Sequence, residues 1–202
     1  KEGAVQITGS LTISGSFHSF TLDSDNVVLG SGAGAVMESA ADKNVLIGVN
    51  AGDVLTTGDD NIIMGHDAGG GIVGGNQNVI IGKEAGRTGN YGACVIIGKN
   101  AGDVIGGSNC VAIGLYAGRY LSLGDVAIGY GAGGFNGGGP NAGNNTSLGY
   151  SALYSIGPGA YRNTGIGFQS GFSISSGNYN ITIGADAGAN ISTGNGNIVI
   201  GH

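Results

Sequence analysis

The chain repeats a short block in which a polar residue, three aliphatic residues and a glycine follow one another. Residues 44–52 spell NVLIGVNAG and residues 61–69 spell NIIMGHDAG. The glycines that close these triplets, which we call anchor glycines, recur at spacings of 15 to 20 residues. A repeat whose length drifts in this way is typical of a solenoid, because its loops can gain or lose residues while its strands stay stacked. The anchor glycines are Gly30, Gly48, Gly65, Gly82, Gly98, Gly114, Gly129, Gly149, Gly167, Gly184 and Gly201.

The triplet before each anchor predicts a β-strand whose two outer positions form the core. The positions one and three before the anchor, such as Ile81 and Val79, are large and aliphatic in almost every copy. Side chains two apart on a strand share a face, so both are expected to point inward. Three residues after the anchor stands Ala, except for Ser170, and the next residue is Gly, except for Leu153. Small residues and glycine at these positions indicate a tight corner.

After the corner, a second and weaker strand is predicted in DVLTTG at 53–58, DVIGG at 103–107, SISSG at 173–177 and NISTG at 190–194. We therefore predict an all-β fold over residues 23–202. It is a parallel β-solenoid or β-roll of about 10–11 coils with 15–20 residues each. Coils about 4.8 Å apart would form a rod of roughly 50 Å.

Residues 1–22 show a different pattern, in which apolar and polar side chains alternate. Alternation of this kind predicts one or two strands with a single apolar face. We expect an N-terminal β segment that caps the stack or connects it to an upstream part. The apolar positions are Val5, Ile7, Leu11, Ile13 and Phe17.

The middle position of the triplet is predicted to point away from the core. Five successive coils have a large aliphatic residue there, and an exposed apolar stripe marks an interface. We expect self-association through this stripe, packed against the same stripe of identical copies. The alternative is that a flanking segment of the same chain covers it. The stripe consists of Val28, Leu46, Ile63, Ile80 and Ile96.

Four residues before the anchor, most copies have Asn, which predicts a ladder of side-chain amides hydrogen-bonded along the stack. Cys94 and Cys110 interrupt this column on adjacent coils. Stacked Cα atoms are close enough for a disulfide, but in-register neighbours point the same way, so a bonded pair and two free thiols both stay open. No His shares their coils, which argues against a catalytic role.

The composition narrows the range of functions. Of 202 residues 46 are Gly and only 10% are charged, while the aliphatic residues fall in regular clusters, which excludes collagen and disorder. A net charge of −6 argues against nucleic-acid binding. No apolar run approaches the ~18 residues of a membrane-spanning helix, so no membrane insertion is expected. The chain stops within a repeat, and we interpret it as an excerpt of a longer polypeptide.

The blocks NVVLG, NVLIGVNAG and NIIMGHDAG resemble the head repeats of trimeric autotransporter adhesins, which build trimeric parallel β-rolls. They are more similar to the N-T-A-I-G-x-x-A-G arrays of bacteriophage tail-fibre proteins, and VQITGSLTISGSF at 5–17 resembles the segment that precedes such arrays. This resemblance implies a homotrimer. The coils are longer than those of adhesin heads, and these residues include no chaperone domain, stalk or anchor. A phage fibre and a bacterial adhesin therefore both stay open.

No catalytic, cofactor-binding or metal-binding residue is predicted. The carboxylates are scattered over different coils, whereas glycoside hydrolysis needs two that face each other. The Gly-rich stretch GSGAGA at 30–35 is not followed by a helical pattern, as a phosphate-binding loop requires. We expect no enzymatic activity and no cofactor, with a carbohydrate depolymerase as the less favoured alternative.

Aromatic residues stand just after the anchor on consecutive coils, at a corner that is predicted to be exposed. Stacked aromatics can bind the apolar faces of sugar rings, whereas the alternative is that they pack under the loop at 135–145. Lys83 and Lys99 share the same column and are interpreted as solubilising residues. The candidate contacts to a glycan or receptor are Tyr116, Tyr130, Tyr150 and Phe168.

Together these features predict a shaft segment of a phage tail fibre, located in the virion, that acts as a rigid spacer for host attachment. Its expected partners are identical copies in a homotrimer, other fibre or tail proteins, and a host cell-surface glycan. The alternatives are an adhesin on the bacterial cell surface and a self-polymerising extracellular filament.

Overall fold

The computed structural model describes residues 20–22, 25–134 and 143–202. Every regular element in these ranges is a short β-strand. The strands are β1 Phe20–Leu22, β2 Val27–Leu29, β3 Val45–Ile47, β4 Ile62–Met64, β5 Val79–Ile81, β6 Val95–Ile97, β7 Val104–Ile105, β8 Val111–Ile113, β9 Tyr120–Leu121, β10 Val126–Ile128, β11 Thr146–Leu148, β12 Thr164–Ile166, β13 Ile181–Ile183 and β14 Ile198–Ile200.

The aliphatic triplets form one long parallel sheet, in which each triplet pairs with the same triplet of the next coil. Ile80 of β5, for example, lies opposite Ile63 of β4 and Ile96 of β6. The anchor glycines therefore predict the register correctly, and the parallel β-solenoid of about ten turns is confirmed. At the N-terminal end, β1 pairs antiparallel with β2. The predicted apolar face from Val5 to Phe17 lies outside the described residues.

The corners of successive coils are also hydrogen-bonded to one another. Gly52 donates its N–H to the carbonyl of Ala68 at 2.9 Å. The predicted second strand is wrong for three of its four stretches, because only 103–107 contains a strand, β7, which pairs with β9. In 53–58 the N–H groups of Thr56 and Thr57 both point to the carbonyl of Val73, so the bonds do not advance along the backbone as in a ladder.

The middle residue of each triplet points into the solenoid, so the predicted self-association stripe is wrong. Leu46, Ile63, Ile80 and Ile96 are 0% exposed and Val28 is 6% exposed, within a single chain. Strand alternation then turns the first and third residues of the triplet outward. In a three-residue strand the middle side chain lies on one face and the first and third side chains lie on the other. With the middle residue in the core, the other two must therefore lie on the surface.

The interior is filled by three columns of side chains. The middle residue of the triplet meets the corner Ala three after the anchor and an aliphatic residue seven after it. Leu55 and Ile72, which hold this third position, are both 0% exposed. No coil buries its own aliphatic residues completely, so the stack supplies the core. The third column consists of Met37, Leu55, Ile72, Ile105, Leu121, Ile156, Ile174 and Ile191.

Two exceptions to the repeat compensate for changes inside the core. Leu153 stands where other corners have Gly, and its side chain fills the space beside Gly165, where a Cβ would lie 2.7 Å from Leu153 Cγ. Ser170 replaces the corner Ala and donates its hydroxyl to the carbonyl of Thr182 at 2.7 Å, with Thr182 Oγ1 at 2.8 Å. In both cases the neighbouring coil compensates for the change. Leu153 fills the volume that Gly165 leaves empty, and Thr182 accepts the hydrogen bond that Ser170 donates.

The predicted asparagine ladder is confirmed, and it is buried. Asn61 Nδ2 donates to Asn44 Oδ1 at 3.0 Å and to the carbonyl of Gly75 at 2.8 Å. Asn61 Oδ1 accepts from the backbone N–H of Asn78 at 3.0 Å and from its side chain at 2.9 Å. Each amide therefore satisfies polar groups on both neighbouring coils. The buried members are Asn26, Asn44, Asn61, Asn78, Asn145, Asn163 and Asn180.

Candidate functional site

The outward side of the long sheet forms a continuous aliphatic strip. We call this surface the outer face, and it comprises the first and third residues of β2–β6, β8 and β10–β14. All of these residues are Val, Ile, Leu or Met except Thr146 and Thr164, and none is charged. Most of these side chains are partly exposed, and the more exposed ones include Ile62 at 39% and Leu148 at 43%. The surface expected from the middle column is therefore provided by the two columns on either side of it.

The predicted aromatic residues do come together, on one edge of the solenoid. The rings of Tyr130 and Tyr150 stack with centroids 4.9 Å apart and 13° between their planes. Tyr150 and Phe168 stack at 5.4 Å and 17°. Tyr116 meets Tyr130 edge to face, at 6.3 Å and 87°. We call these four residues the aromatic ladder.

Stacking limits how the aromatic ladder can meet a sugar. Tyr130, Tyr150 and Phe168 are each 42–49% exposed, but their faces are turned towards one another along the rod. A sugar ring binds an aromatic side chain through the aromatic face. The exposed parts of Tyr150 are thus its ring edge and hydroxyl group. Contact with a glycan stays a prediction, and the geometry favours hydrogen bonding to the phenols over ring stacking.

A second aromatic pair on the same edge was not among the candidates. Tyr154 and Phe172 stack with centroids 5.1 Å apart and planes 2° from parallel. Both stand five residues after an anchor glycine, on adjacent coils, so the column alignment contains the signal that predicts their contact. Elsewhere, Arg162 lies 5.5 Å from the ring centre of Tyr179 and donates to its hydroxyl at 3.1 Å.

The two cysteines are free and act as ladder residues. The backbone N–H of Cys110 points to Cys94 Sγ at 3.3 Å, and Cys110 Sγ lies 2.9 Å from the carbonyl of Ser122. Hydrogen bonding with Cys94 and burial raise the pKa of Cys110. A neutral thiol that can both donate and accept a hydrogen bond takes part of the role of the missing Asn.

Asp125 is a charged residue in the same buried column. Its Oδ1 accepts from the backbone N–H of Asn145 at 2.8 Å, and its Oδ2 accepts from the N–H of Ser122 at 2.7 Å. Burial nevertheless raises the pKa of Asp125 to about 6, because these hydrogen bonds offset only part of the desolvation. The ladder therefore contains one acid that titrates near neutral pH.

We expect this acid to make stability depend on pH. Its pKa is higher in the folded chain than the ordinary value of 3.8, so the folded state binds the proton more tightly than the unfolded state. Stability attributable to Asp125 is then complete below about pH 4 and falls by up to about 3 kcal/mol as the pH rises to 7. Urea unfolding at several pH values should show that the free energy of unfolding of Asp125→Asn rises relative to that of the wild type between about pH 4 and 7. Asp186→Asn, an exposed control, should not, and a difference between Asp125→Asn and the wild type that is independent of pH would contradict the expectation.

Comparison of the chain with protein-family models, curated proteins and solved structures gives no match. In the part of the chain that the structure describes, no helix has the length and apolar character needed to cross a membrane. The surfaces described above are therefore interpreted from their own chemistry.

Proposed function

We propose that the chain is a rigid shaft segment of a homo-oligomeric fibre, of the kind found in phage tail fibres. In this role it holds an attachment structure away from the particle, and its partners are identical copies and neighbouring fibre or tail proteins. The observation that carries the proposal is the outer face, an uncharged aliphatic strip that runs along all eleven strands of the parallel stack.

The outer face supports self-association because it is long, regular and without charge. Monomeric proteins seldom expose contiguous apolar patches beyond a few hundred Å². Two aliphatic columns along roughly 50 Å of sheet, at about 4.8 Å per coil, form a contiguous patch of about that size. An identical chain offers side chains at the same spacing, so the columns of two copies can interdigitate along their whole length. The number three comes from the resemblance to trimeric repeats.

The interior supports the mechanical part of the proposal. Coils are joined by backbone bonds at strands and corners, and a buried amide ladder joins them again. Bending the rod requires several of these bonds to lengthen together. A solenoid of this kind transmits force along its axis without needing a separate stalk.

Charged substitutions on the outer face should separate the copies without unfolding the coil. We expect the double variant Ile81→Lys/Ile97→Lys to sediment as a single chain, whereas the wild type sediments as an oligomer, because lysines facing one another in an apolar contact are costly to desolvate. Analytical ultracentrifugation measures the mass, and circular dichroism checks that the β-structure persists.

The matched control places two lysines on exposed valines outside the outer face. Val49 and Val73 are 45% and 48% exposed, and Val49 holds the corner position where other coils have lysine. Val49→Lys/Val73→Lys should therefore stay oligomeric. If the charged outer-face variant does not fold, Val79→Thr/Val95→Thr gives a milder test, since Thr146 and Thr164 occupy that column naturally. A monomeric wild type would overturn the proposal.

The bacterial surface adhesin and the self-polymerising filament share this outer face and differ in their assembly. A filament predicts that mass grows with concentration without limit, whereas a fibre shaft or an adhesin predicts a closed oligomer of fixed mass. Sequencing the coding region around the array separates the last two, because a chaperone domain found after the array favours a phage fibre and a membrane anchor favours an adhesin.

A further inference from the structure

The cations of this acidic chain are concentrated around one cavity. The chain has seven Lys and Arg residues and a net charge of −6. Four of the seven, Lys83, Arg87, Lys99 and Arg119, line a cavity of about 440 Å³ on the edge of the solenoid. The cavity also contains two carboxylates, so it carries a net charge of +2. Its charge is opposite in sign to that of the chain as a whole.

The two arginines of the cavity lie on either side of one carboxylate. Arg87, Asp103 and Arg119 each stand five residues after an anchor glycine, on three successive coils. Asp103 has a side chain only 10% exposed, with Oδ1 at 3.1 Å from Arg87 Nε and Oδ2 at 3.4 Å from Arg119 Nε. A guanidinium has five N–H donors in a fixed plane, and the Nε group of each arginine is the atom closest to Asp103. Asp103 accepts a hydrogen bond from Arg119 and lies within ion-pair distance of Arg87, and one carboxylate between two guanidinium groups leaves an excess of positive charge.

Of the two lysines, one is paired with a carboxylate and the other adds positive charge to the cavity. Glu84 accepts from Asn100 at 2.8 Å and lies 3.3 Å from Lys83 Nζ. The Asn100 hydrogen bond and Lys83 hold the pKa of Glu84 below its usual range, so it remains ionised. Within the described ranges no carboxylate lies within ion-pair distance of Lys99. Lys83 and Glu84 form an ordinary surface ion pair, which accounts for their proximity. It does not account for the presence of the other cations in the cavity.

We propose that this cavity binds the carboxylate groups of an acidic polysaccharide. Its volume falls in the range of small-ligand sites, and paired guanidinium groups match the two oxygens of a carboxylate. Tyr116 forms part of the cavity wall and contacts Tyr130, so the cavity opens onto the aromatic ladder. An acidic polysaccharide that lies along this edge contacts the cations first and the phenol groups next, over about six coils.

A nucleic acid fits the same charges less well. Its phosphates repeat continuously, and its binding surfaces carry cations along their whole length. Here the cations stop after three coils, and a net negative charge surrounds them. A polymer of uronic acids places a carboxylate on each sugar, or on every second sugar in hyaluronate, together with hydroxyl groups suited to the tyrosines. The inference depends on residues of one chain and does not require the oligomer proposed above.

Affinity electrophoresis in native gels tests the proposal with polymers cast into the gel. The acidic probes are polygalacturonate, alginate, hyaluronate and polysialic acid, and the neutral probes are dextran and pullulan. We expect at least one acidic polymer to retard the wild-type chain relative to a plain gel, and neither neutral polymer to do so. Retardation should weaken between about 50 and about 300 mM salt, because charge contacts are screened.

Two charge-matched variants decide whether the cavity is responsible. Lys83→Gln/Lys99→Gln removes two exposed cations from the cavity and should weaken binding about tenfold or more. Lys43→Gln/Arg162→Gln removes two cations elsewhere, at a column where Gln77 has the same backbone conformation as Lys43, and should bind like the wild type. The proposal is overturned if no acidic polymer retards the chain, if both variants lose binding equally, or if single-stranded DNA binds as tightly as the best polysaccharide.

Discussion

Replacing Asn61 by Ala is expected to destabilise the chain by about 4 kcal/mol or more, although it removes only a few atoms. The substitution deletes both hydrogen bonds that the Asn61 side chain donates and both that it accepts. The carbonyl of Gly75 and two N–H groups of Asn78 then stay buried without these partners. Each such group costs roughly 1–3 kcal/mol, because water cannot reach it to replace the lost bond. Thermal or urea unfolding measures the loss.

Two further substitutions separate the ladder from other effects of the mutation. Asn76 is exposed and accepts one bond from the N–H of Asp59, so Asn76→Ala should cost less than about 1 kcal/mol. Asn61→Cys should fall between the two alanine variants, since Cys94 and Cys110 occupy this column and a thiol can donate and accept. Equal stabilities for Asn61→Ala and Asn76→Ala would show that the buried ladder contributes little.

The repeat, its register and the asparagine ladder could all be predicted from the sequence, because the coils repeat the same residue types at the same offsets from the anchor glycine. One offset from the anchor glycine defines a column, and parallel in-register stacking brings that column together in space. The stacked pairs Tyr130–Tyr150 and Tyr154–Phe172 follow from the same alignment. Prediction succeeds here because stacking turns equal spacing along the sequence into contact.

The direction in which the strands face was predicted wrongly, because all three positions of a triplet such as VII at 79–81 are aliphatic. Hydrophobicity alone cannot choose between the two alternations of so short a strand. Two signals were present. The Asn four before the anchor shares its face with the middle residue, so a buried amide ladder implies a buried middle column. The middle column also shrinks to Gly165 where Leu153 replaces a corner glycine, and such exchange of volume occurs inside a closed core.

The surface chemistry could be predicted only in part, because it depends on distances between columns. The cations Lys83 and Arg87 stand at different offsets from the same anchor, and the sequence does not say that one cavity joins them. Asp103, which connects Arg87 with Arg119, belongs to a column with no constant residue type. Side chains from different columns meet only through the geometry of the corner, and that geometry was not available from spacing alone.

Replacing Gly82 by Ala is expected to have the second large effect, a loss of about 3–5 kcal/mol. Gly82 has a φ of +136°, a conformation that residues with a side chain rarely adopt. A Cβ there would lie 2.6 Å from the carbonyl oxygen of Gly98 on the next coil. The two coils would have to separate, and this would lengthen the bond from the N–H of Gly98 to the carbonyl of Ile81, now 2.8 Å. Strain and steric overlap therefore add.

Gly70→Ala provides the comparison that isolates this close approach. Gly70 follows the corner of the preceding coil, but its φ is not positive and a Cβ would come no closer than 3.8 Å to another atom. This variant should be neutral or stabilised by up to about 1 kcal/mol, because Ala restricts the unfolded chain. Unfolding curves for both variants measure the difference. If Gly82→Ala were as stable as Gly70→Ala, anchor glycines would not be required by the coil spacing, and their recurrence would need another cause. If the predicted difference is found, each anchor sets how closely two coils can stack, and a single Cβ is enough to force them apart.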